Sequence, residues 1–587
     1  MRQIKIKLRE SDETKDVISR ILEMRGVKPE DLVHYFFPDE ALRPTYHDLD
    51  NIGKAVELLR KHVDNKSKIY IQIDVDTDGM TSASIMYQFL VEDLGVDEDL
   101  VSYHIPKTKV HGITLEEVYK HKPDLVIAPD ASSSEFDIHK ELKDKGIDVL
   151  VLDHHEVEEN RYSEDAVVVN NQLSRGFENK GLTGANIVLL FCEAYCEINN
   201  LDIHTDKYLD LATVGMIADR ASLLDTGVFY FVQFGLRNIN NPLLRKILEK
   251  SSSVNLDDKL TTKDIEFSIA PMINALTRDN KDDDLDIVVD AIFGRDYEVT
   301  NKRVGITHVV DEAIRKMNNA RSRQNRKVQE ALVLIKERIE EKGLLDNKVL
   351  FINSTDILDK TGLNGLVAIK LAEEYKRPTL VLGMKDDGVL KGSARNFDGS
   401  PIEDFKELLN SSGAFKYALG HAQAFGVGLD RSNAKHAVDT LNDTLKDVVY
   451  DTTYYADLIY EGKPNPQEIH TIAKHKYMWG NGIEAPVAYI KNVRIKKSDI
   501  RFIGKNKDTL KINLGTCDGI KFKLTEAEKA SLVSSEEEYV ILDIVGGCSI
   551  NSYKGMNQPQ INILEWNVVG YDSGEEGSSF NVTDLPF

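Results

Sequence analysis

Three carboxylates stand at every second position in Asp74-Val75-Asp76-Thr77-Asp78-Gly79, directly after a run rich in Ile and Val. Extended backbone turns alternate side chains to one side, so these acids are expected to converge on a small volume, where they repel one another unless divalent cations sit among them. The spacing also matches the first six positions of an EF-hand loop. That reading fails because Ile85 stands at the twelfth position, where a bidentate Glu is required, and because a strand precedes the loop. Asp153-His154-His155 follows a second apolar run, and adjacent imidazoles beside a carboxylate suit a transition metal, manganese first, better than Mg²⁺ alone. Asp130 ends a third run, and Asp219 closes the apolar LATVGMIAD, where an uncompensated carboxylate is costly. Singly, each has an ordinary explanation: a helix cap for Asp130, an ion pair with Arg220 for Asp219, a core histidine for His154 or His155. Jointly they read as one metal centre.

The elements that must position these residues are short apolar strands. Residues 68–75 (KIYIQIDV), 125–128 (LVIA), 149–152 (VLVL) and 167–170 (VVVN) alternate with helix-like stretches, the pattern of a largely parallel α/β sheet buried on both faces. Three of these runs meet an acid at or just beyond the carboxyl end, where open α/β sheets bind ligands. A helical stretch without Gly or Pro is expected over residues 306–342, long enough at about 50 Å to join two domains across a cleft. Its middle carries Arg321, Arg323, Arg326 and Lys327, a basic stretch that is equally well explained as a solvated face. A second α/β unit follows, with strands at residues 349–352 and 379–382. Beyond residue 486 the chain is β-rich, as in a separate OB-fold barrel. The expected division is residues 1–305, 306–345, 346–449, 450–570 and a disordered acidic tail over 571–587.

Composition fits several globular domains: 587 residues, 41% hydrophobic and 29% charged. No apolar run approaches a signal peptide or a membrane span. Cys192, Cys196, Cys517 and Cys548 are too few for a disulfide framework, which points to buried thiols in a reducing, cytoplasmic setting; the chain is expected to be a monomer. The net charge of −23 disfavours nonspecific coating of duplex DNA but leaves room for a cleft with a local positive lining.

In its motifs the chain resembles the DHH phosphoesterase superfamily, and within it the RecJ single-strand exonucleases. DVDTDG resembles the first DHH motif, Asp130 the second, Asp153-His154-His155 the third and Asp219 the fourth. Met24-Arg25-Gly26-Val27 and Phe37-Pro38 are similar to the amino-terminal segment, LTGAN (182–186) to an LSGAG-like turn, and PMINALTR (271–278) to a PRINAAGR-like motif. KGSAR (391–395) and Gly420-His421 with Ala424 and Gly426 resemble the DHH-associated domain, and residues 502–506 the RecJ OB-fold. There are departures: Leu419 replaces the first Gly of Gly-Gly-His, Thr277 replaces Gly before Arg278, and Ala131-Ser132 replace Asn-Gly after Asp130.

The resemblance implies a 5′-directed exonuclease on single-stranded DNA with two divalent ions, Mn²⁺ preferred or Mg²⁺. Asp130 would bridge the ions, and Asp74, Asp76, Asp78, His154 and Asp219 would complete their shells. His155 would contact the phosphate or move a proton. Lys391, Arg395 and His421 would grip phosphates, while Asn274, Arg278, Arg321 and Arg323 lead the strand inward. Tyr553, Trp566 and Lys505 are candidates for holding bases on the barrel, against plain barrel packing. The final Asp584-Leu585-Pro586-Phe587 resembles the tip of single-stranded-DNA-binding proteins and would recruit proteins that read that tip. Two alternatives are a DHH phosphodiesterase for dinucleotides or short RNA, and a noncatalytic DHH-derived DNA-binding scaffold. The second predicts eroded ligands, and here every expected acid and both histidines are present.

Overall fold

The computed structural model describes residues 5–9, 12, 14–106, 112–157, 160–277, 282–301, 303, 305–358, 362–385, 387–397, 399–450, 453–553 and 556–573, the side chains of Thr277, Asp282, Asp283, Tyr553 and Met556 apart. Strands β1 (Ile69–Gln72), β2 (Val101–His104), β3 (Leu125–Pro129), β4 (Asp148–Asp153) and β5 (Val167–Asn170) pair in the order β2-β1-β3-β4-β5, every pair parallel. β1 and β3 are buried at every position, which is why their sequences read as continuous apolar runs instead of alternating ones. In this doubly wound order the connections reverse between β1 and β3, so a crevice opens beyond their carboxyl ends. Asp74 and Asp130 stand at those two ends.

Helix α1 (Thr77–Gln88) follows β1 almost at once and packs against α2 (Gly184–Ile198) and α3 (Leu209–Ala218). All three are buried nearly all round, as their small and apolar compositions require. The chain continues through α4 (Thr226–Gly235), α5 (Pro242–Lys250) and α6 (Ala270–Thr277).

The connector differs from expectation at its start. Residues Glu298–Asn301 and Gly305–His308 form an antiparallel hairpin, and α7 runs over Val309–Glu341 with His308 as its cap, accepting from Val310 N at 3.2 Å. Ile306 therefore belongs to an exposed strand, where its apolar side chain could not reveal the boundary. The first third of α7, Val309 to Ala320, seals the core beneath the parallel sheet, and its last third, from Val328, seals a core under the second unit. Between them lies the basic stretch, in which Gln324 is the one buried side chain.

The second unit has a five-stranded sheet in the order Tyr417–His421, Ala424–Asp430, Val389–Arg395, Thr379–Met384, Leu350–Asn353, antiparallel except for the last pair. The third is a seven-stranded sheet running from Leu458–Glu461 through the long ribbon Tyr539–Tyr553 and Met556–Asp572 to Arg501–Ile503. Its core residues Ile469, Met478, Trp479 and Ile544 pack in one apolar cluster with those beneath the parallel sheet. No helix among the described residues is long and apolar enough to cross a membrane.

The amino terminus is part of that joint. Lys5–Leu8 pairs in parallel with Thr453–Ala456, and the buried Arg25 places Nη1 and Nη2 at 2.7 and 2.9 Å from the Asp457 carboxylate, which also accepts from Arg9 and from Val487 N. Burial raises the Asp457 carboxyl, and the bonds from Arg25 outweigh it, so it lies below its usual 3.8. Arg25→Ala leaves this carboxylate buried against Val487 with one partner fewer and is expected to cost about 3–5 kcal/mol in denaturant unfolding. The depressed carboxyl stabilises the fold above pH 3.8, and that contribution is lost as pH falls through its lower folded value. Acid unfolding of Arg25→Ala should accordingly begin at higher pH than in the parent.

Candidate metal centre

The three acids of the first motif converge by a different route from the one expected. Strand pairing ends at Gln72, Asp76 caps α1 by accepting from Gly79 N at 3.1 Å, and Asp78 is the second residue of that helix. A tight strand-to-helix turn, rather than the alternation of a strand, brings them together. Carboxylate oxygens of Asp74, Asp76 and Asp130 lie within 4.8 Å of one another, and so do ligand atoms of Asp130, Asp153, His154 and His155. Asp130 belongs to both groups.

Asp130 is held in a left-handed backbone conformation (φ 63°), which Asp tolerates better than most residues, and its N–H is tied to Leu152 O at 2.8 Å. Its Oδ1 is buried and accepts no well-formed hydrogen bond among the described residues; His154 Nε2 stands 3.1 Å away. The same Nε2 lies 3.8 Å from Asp219 Oδ2 and 3.9 Å from Asp78 Oδ2. Asp219 follows the last turn of α3, where helix carbonyls disfavour a negative charge. It makes no ion pair with Arg220 among the described residues, which removes the ordinary explanation for it. Asp78 is drawn to the same place but shares its oxygens with Thr183 Oγ1 (2.9 Å), Gly184 N (2.8 Å) and Ala185 N (3.3 Å), fixing the start of α2 against the acids.

Three glycines, one in each of the first three helices, let backbone press against these carboxylates. A Cβ at Gly79 would lie 2.6 Å from Asp74 Cβ, one at Gly184 2.5 Å from Asp130 Cβ, and one at Gly215 2.3 Å from Asp78 Oδ1. Asp153 plays a different part. Fully buried, it accepts from His154 N, His155 N and His155 Nδ1 (2.8 Å) through Oδ1 and from Ser133 N through Oδ2. Asn170, at the end of β5, braces the same turn by donating to Ser133 Oγ and His155 O. His155 is held by this bond and left half-exposed.

The electrostatics follow from this crowding. Burial, then Asp78, Asp76 and Asp74, push the Asp130 carboxyl well above its usual value, and burial with Asp78 and Asp76 pushes Asp219 up to about 7. Burial lowers the His154 imidazole. Burial also opposes protonation of His155, but the Asp153 bond prevails and raises it to about 9. A set of oxygen donors that resist joint ionisation, one of them a buried oxygen without a well-formed hydrogen bond, beside an imidazole kept neutral, fits divalent cations of the Mn²⁺ or Mg²⁺ type. Saturating Mn²⁺ is expected to raise the melting temperature, by about 4 kcal/mol of stability at a thousandfold excess over Kd, and EDTA should reverse it. A calorimetric scan that Mn²⁺ leaves unmoved would sink this assignment.

The other candidates are placed less uniformly. Asn274, on α6, sits 3.4 Å from Thr77 Oγ1, at the edge of the metal turn. Arg323 shares the buried Asp284 with Lys316, whereas Arg321 lines a cavity of about 340 Å³ with Ser251, Ser253 and Phe267. Arg395 donates to Ala394 O, and a Cβ at Gly365 would meet its Nη2 at 2.8 Å, with Ser393 Oγ beside it. Lys391 pairs with Asp387 at the surface, and His421 is exposed at a strand end. Trp566 takes the favoured reading of barrel packing and drops out as a base-stacking candidate: its ring is buried beneath Lys521 and donates to Ser531 Oγ. Arg278 and Asp584-Leu585-Pro586-Phe587 lie outside the described residues, as does the Tyr553 side chain. Sequence reasoning missed Ser133, Asn170 and the three glycines as positioning elements; the Asn that ends VVVN and the Gly of LTGAN were the available signals.

The chain matches the N-terminal domain of the DHH family over residues 68–216 and the RecJ OB domain over residues 465–565. It is 36% identical, over 95% of its length and 97% of the relative's, to YorK, a prophage-derived protein of Bacillus subtilis named provisionally as a single-strand DNA-specific exonuclease. It is 25% identical to the single-stranded-DNA-specific exonuclease RecJ of the same organism, over 88% of this chain and 63% of that one. Among solved structures, RecJ of Thermus thermophilus in complex with Mn²⁺ shares the fold, with a TM-score of 0.71 at 19% identity over 97% of this chain and 80% of the other. With a DHH sheet, an acid and histidine cluster at its switch point and a RecJ-type OB domain, the chain belongs to the RecJ family.

Proposed function

We propose that this protein is a metal-dependent exonuclease that hydrolyses single-stranded DNA from the 5′ end to 5′-mononucleotides, in DNA recombination, repair or replication. The observation that carries the reading is Asp130, whose buried Oδ1 lies where the two ligand groups overlap. Two divalent ions, Mn²⁺ preferred or Mg²⁺, would supply a water deprotonated near neutral pH and positive charge at the leaving oxygen. Asp74, Asp76, Asp130, His154 and Asp219 are the residues to hold them, with Asp78 both closing the set and anchoring α2. His155, aimed by Asp153, offers Nε2 to a phosphate oxygen or to a proton in transit. Lys391, Arg395 with Ser393, and His421 are the proposed phosphate grips, and Asn274, Arg321 and Arg323, together with Arg278 outside the described residues, would lead the strand inward.

The deciding assay incubates the protein with Mn²⁺ and single-stranded DNA labelled at either end, single-stranded RNA and duplex DNA, beside Asp130→Ala. Mononucleotide released first from the 5′ end of single-stranded DNA is expected. Activity that survives in Asp130→Ala, or is confined to dinucleotides or short RNA, overturns the reading.

The finer parts of the proposal are a cytoplasmic monomer and a carboxyl-terminal Asp584-Leu585-Pro586-Phe587 that recruits proteins reading the tip of single-stranded-DNA-binding protein. Deleting residues 585–587 with no change in partner pull-down would remove the latter.

A further inference from the structure

A cavity of about 560 Å³ opens between the end of α4, α5 and the segment that follows α5, lined by Gln233, Leu236, Arg237, Ile239, Arg245 and Lys259 among others. It lies away from the metal acids. Gly235 packs on Leu209 and Thr213 at the start of α3, whereas Asp219 follows the end of that helix, about 15 Å further along at 1.5 Å per residue. Arg237 lies flat over the Phe234 ring at 3.8 Å, with Nε on Gln233 O, and Arg245 directs Nε to Ile239 O. Lys259 stands 3.5 Å over the Tyr477 ring and donates to Gln233 Oε1, while Gln233 Nε2 donates to Tyr477 O.

Among the described residues, none of the three cations has a carboxylate within ion-pair reach, in a chain whose net charge is −23. The acids on the same wall look elsewhere or outward: Asp258 meets Lys476 at 3.5 Å and Glu249 meets Lys246 at 4.0 Å. Each cation is thus held by an aromatic face or a backbone carbonyl while its charge stays uncompensated; burial and the neighbouring Arg237 lower Lys259 to about 8. Leu236, Ile239 and the exposed Leu256 give the cavity an apolar side, and its volume is that of a small-molecule site.

We propose that this cavity is a second nucleotide site, in which Arg237, Arg245 and Lys259 bind a phosphate while Leu236, Ile239 and Leu256 cover the apolar face of the same nucleotide. With each Nε taken by a backbone carbonyl, the Nη groups of the two guanidiniums lining the cavity remain as planar donors suited to phosphate oxygens. Glu249, Asp257 and Asp258 at the rim are acceptors for sugar hydroxyls or base amino groups. The same chemistry is offered by a free mononucleotide and by one phosphate of a passing strand.

The test uses the full chain in EDTA, where hydrolysis is stopped, with photoreactive 8-azido-dAMP and, separately, a photoreactive 12-mer, followed by peptide mapping. Label is expected on residues 232–260, competed by inorganic phosphate, and reduced at least tenfold in Arg237→Gln/Arg245→Gln and in Lys259→Gln, all melting as the parent does. Labelling by the 12-mer but not by the mononucleotide, lost in the same variants, upholds the phosphate site and assigns it to a strand. Label found at the metal-centre segments alone, or undiminished in the variants, overturns the proposal. Failure of the nuclease reading would appear as wild-type protein inert with Mn²⁺, which none of these arms measures.

Discussion

Asp130→Asn is expected to lose at least about a thousandfold of Mn²⁺-dependent turnover on single-stranded DNA while melting, in EDTA, no lower than the parent. The first half follows from its position: it is the one carboxylate common to both ligand groups. A ligand that fixes two cations contributes several kcal/mol to stabilising charge on the reacting phosphate, and about 4 kcal/mol is a thousandfold in rate. The second half follows from its surroundings. Asp78, Asp76 and Asp74 all oppose its ionisation, after burial has already done so, and the amide keeps the shape while removing the charge. The same variant should lose most of the Mn²⁺-induced rise in melting temperature. Single-turnover kinetics with end-labelled DNA and paired melts with and without Mn²⁺ read all three. Near-normal turnover would mean that the centre lies elsewhere, and a destabilised apo protein would mean that Asp130 is a structural residue.

The site was legible in the sequence because its chemistry is concentrated in residue types that are costly to bury. Asp74, Asp130 and Asp153 each follow a run that can only be an interior parallel strand, and the rule placing ligands at strand carboxyl ends then assembled them. What the sequence could not show was how they are held. DVDTDG read as an alternating strand because its spacing is two, yet the pairing partners that would have kept it extended end at Gln72, and the small residues after Asp78 let a helix begin. The start of α7 was missed because Ile306 is as compatible with a helix as with the hairpin that Gly305 turns. The joint between the β-rich unit and the amino terminus was not legible for a longer-range reason. Arg25 and Asp457 are 432 residues apart, and no local pattern announces that they meet. The basic cavity likewise draws Arg237, Arg245 and Lys259 from three separate segments, each ordinary by itself.

Gly184→Ala is expected to cost about a hundredfold in turnover and to lower the melting temperature as well, because the atoms it would strike include a carbon fixed to the Asp130 backbone. Gly184 has no left-handed backbone requirement, and its N–H, which donates to Asp78 Oδ2, is retained in alanine. Alanine also favours the helix by about 1 kcal/mol over glycine, which offsets part of any packing strain. The added methyl, however, would lie 2.5 Å from Asp130 Cβ and Oδ1, and since Cβ moves only with its backbone, ordinary contact requires Asp130 or the start of α2 to shift by about an ångström. Misplacement of that size in a reacting constellation costs about a hundredfold. Gly79→Ala is the more severe case, because its methyl meets the Asp74 carbonyl carbon and oxygen as well as Cβ, and this backbone cannot withdraw without distorting the end of β1. It should therefore lower the melting temperature and the activity together. If Gly184→Ala instead keeps parental turnover and Mn²⁺ affinity, the close approach of α2 has no bearing on Asp130. The cradle of glycines would then be packing alone, since the nearest atoms to a Cβ at Gly184 all belong to Asp130.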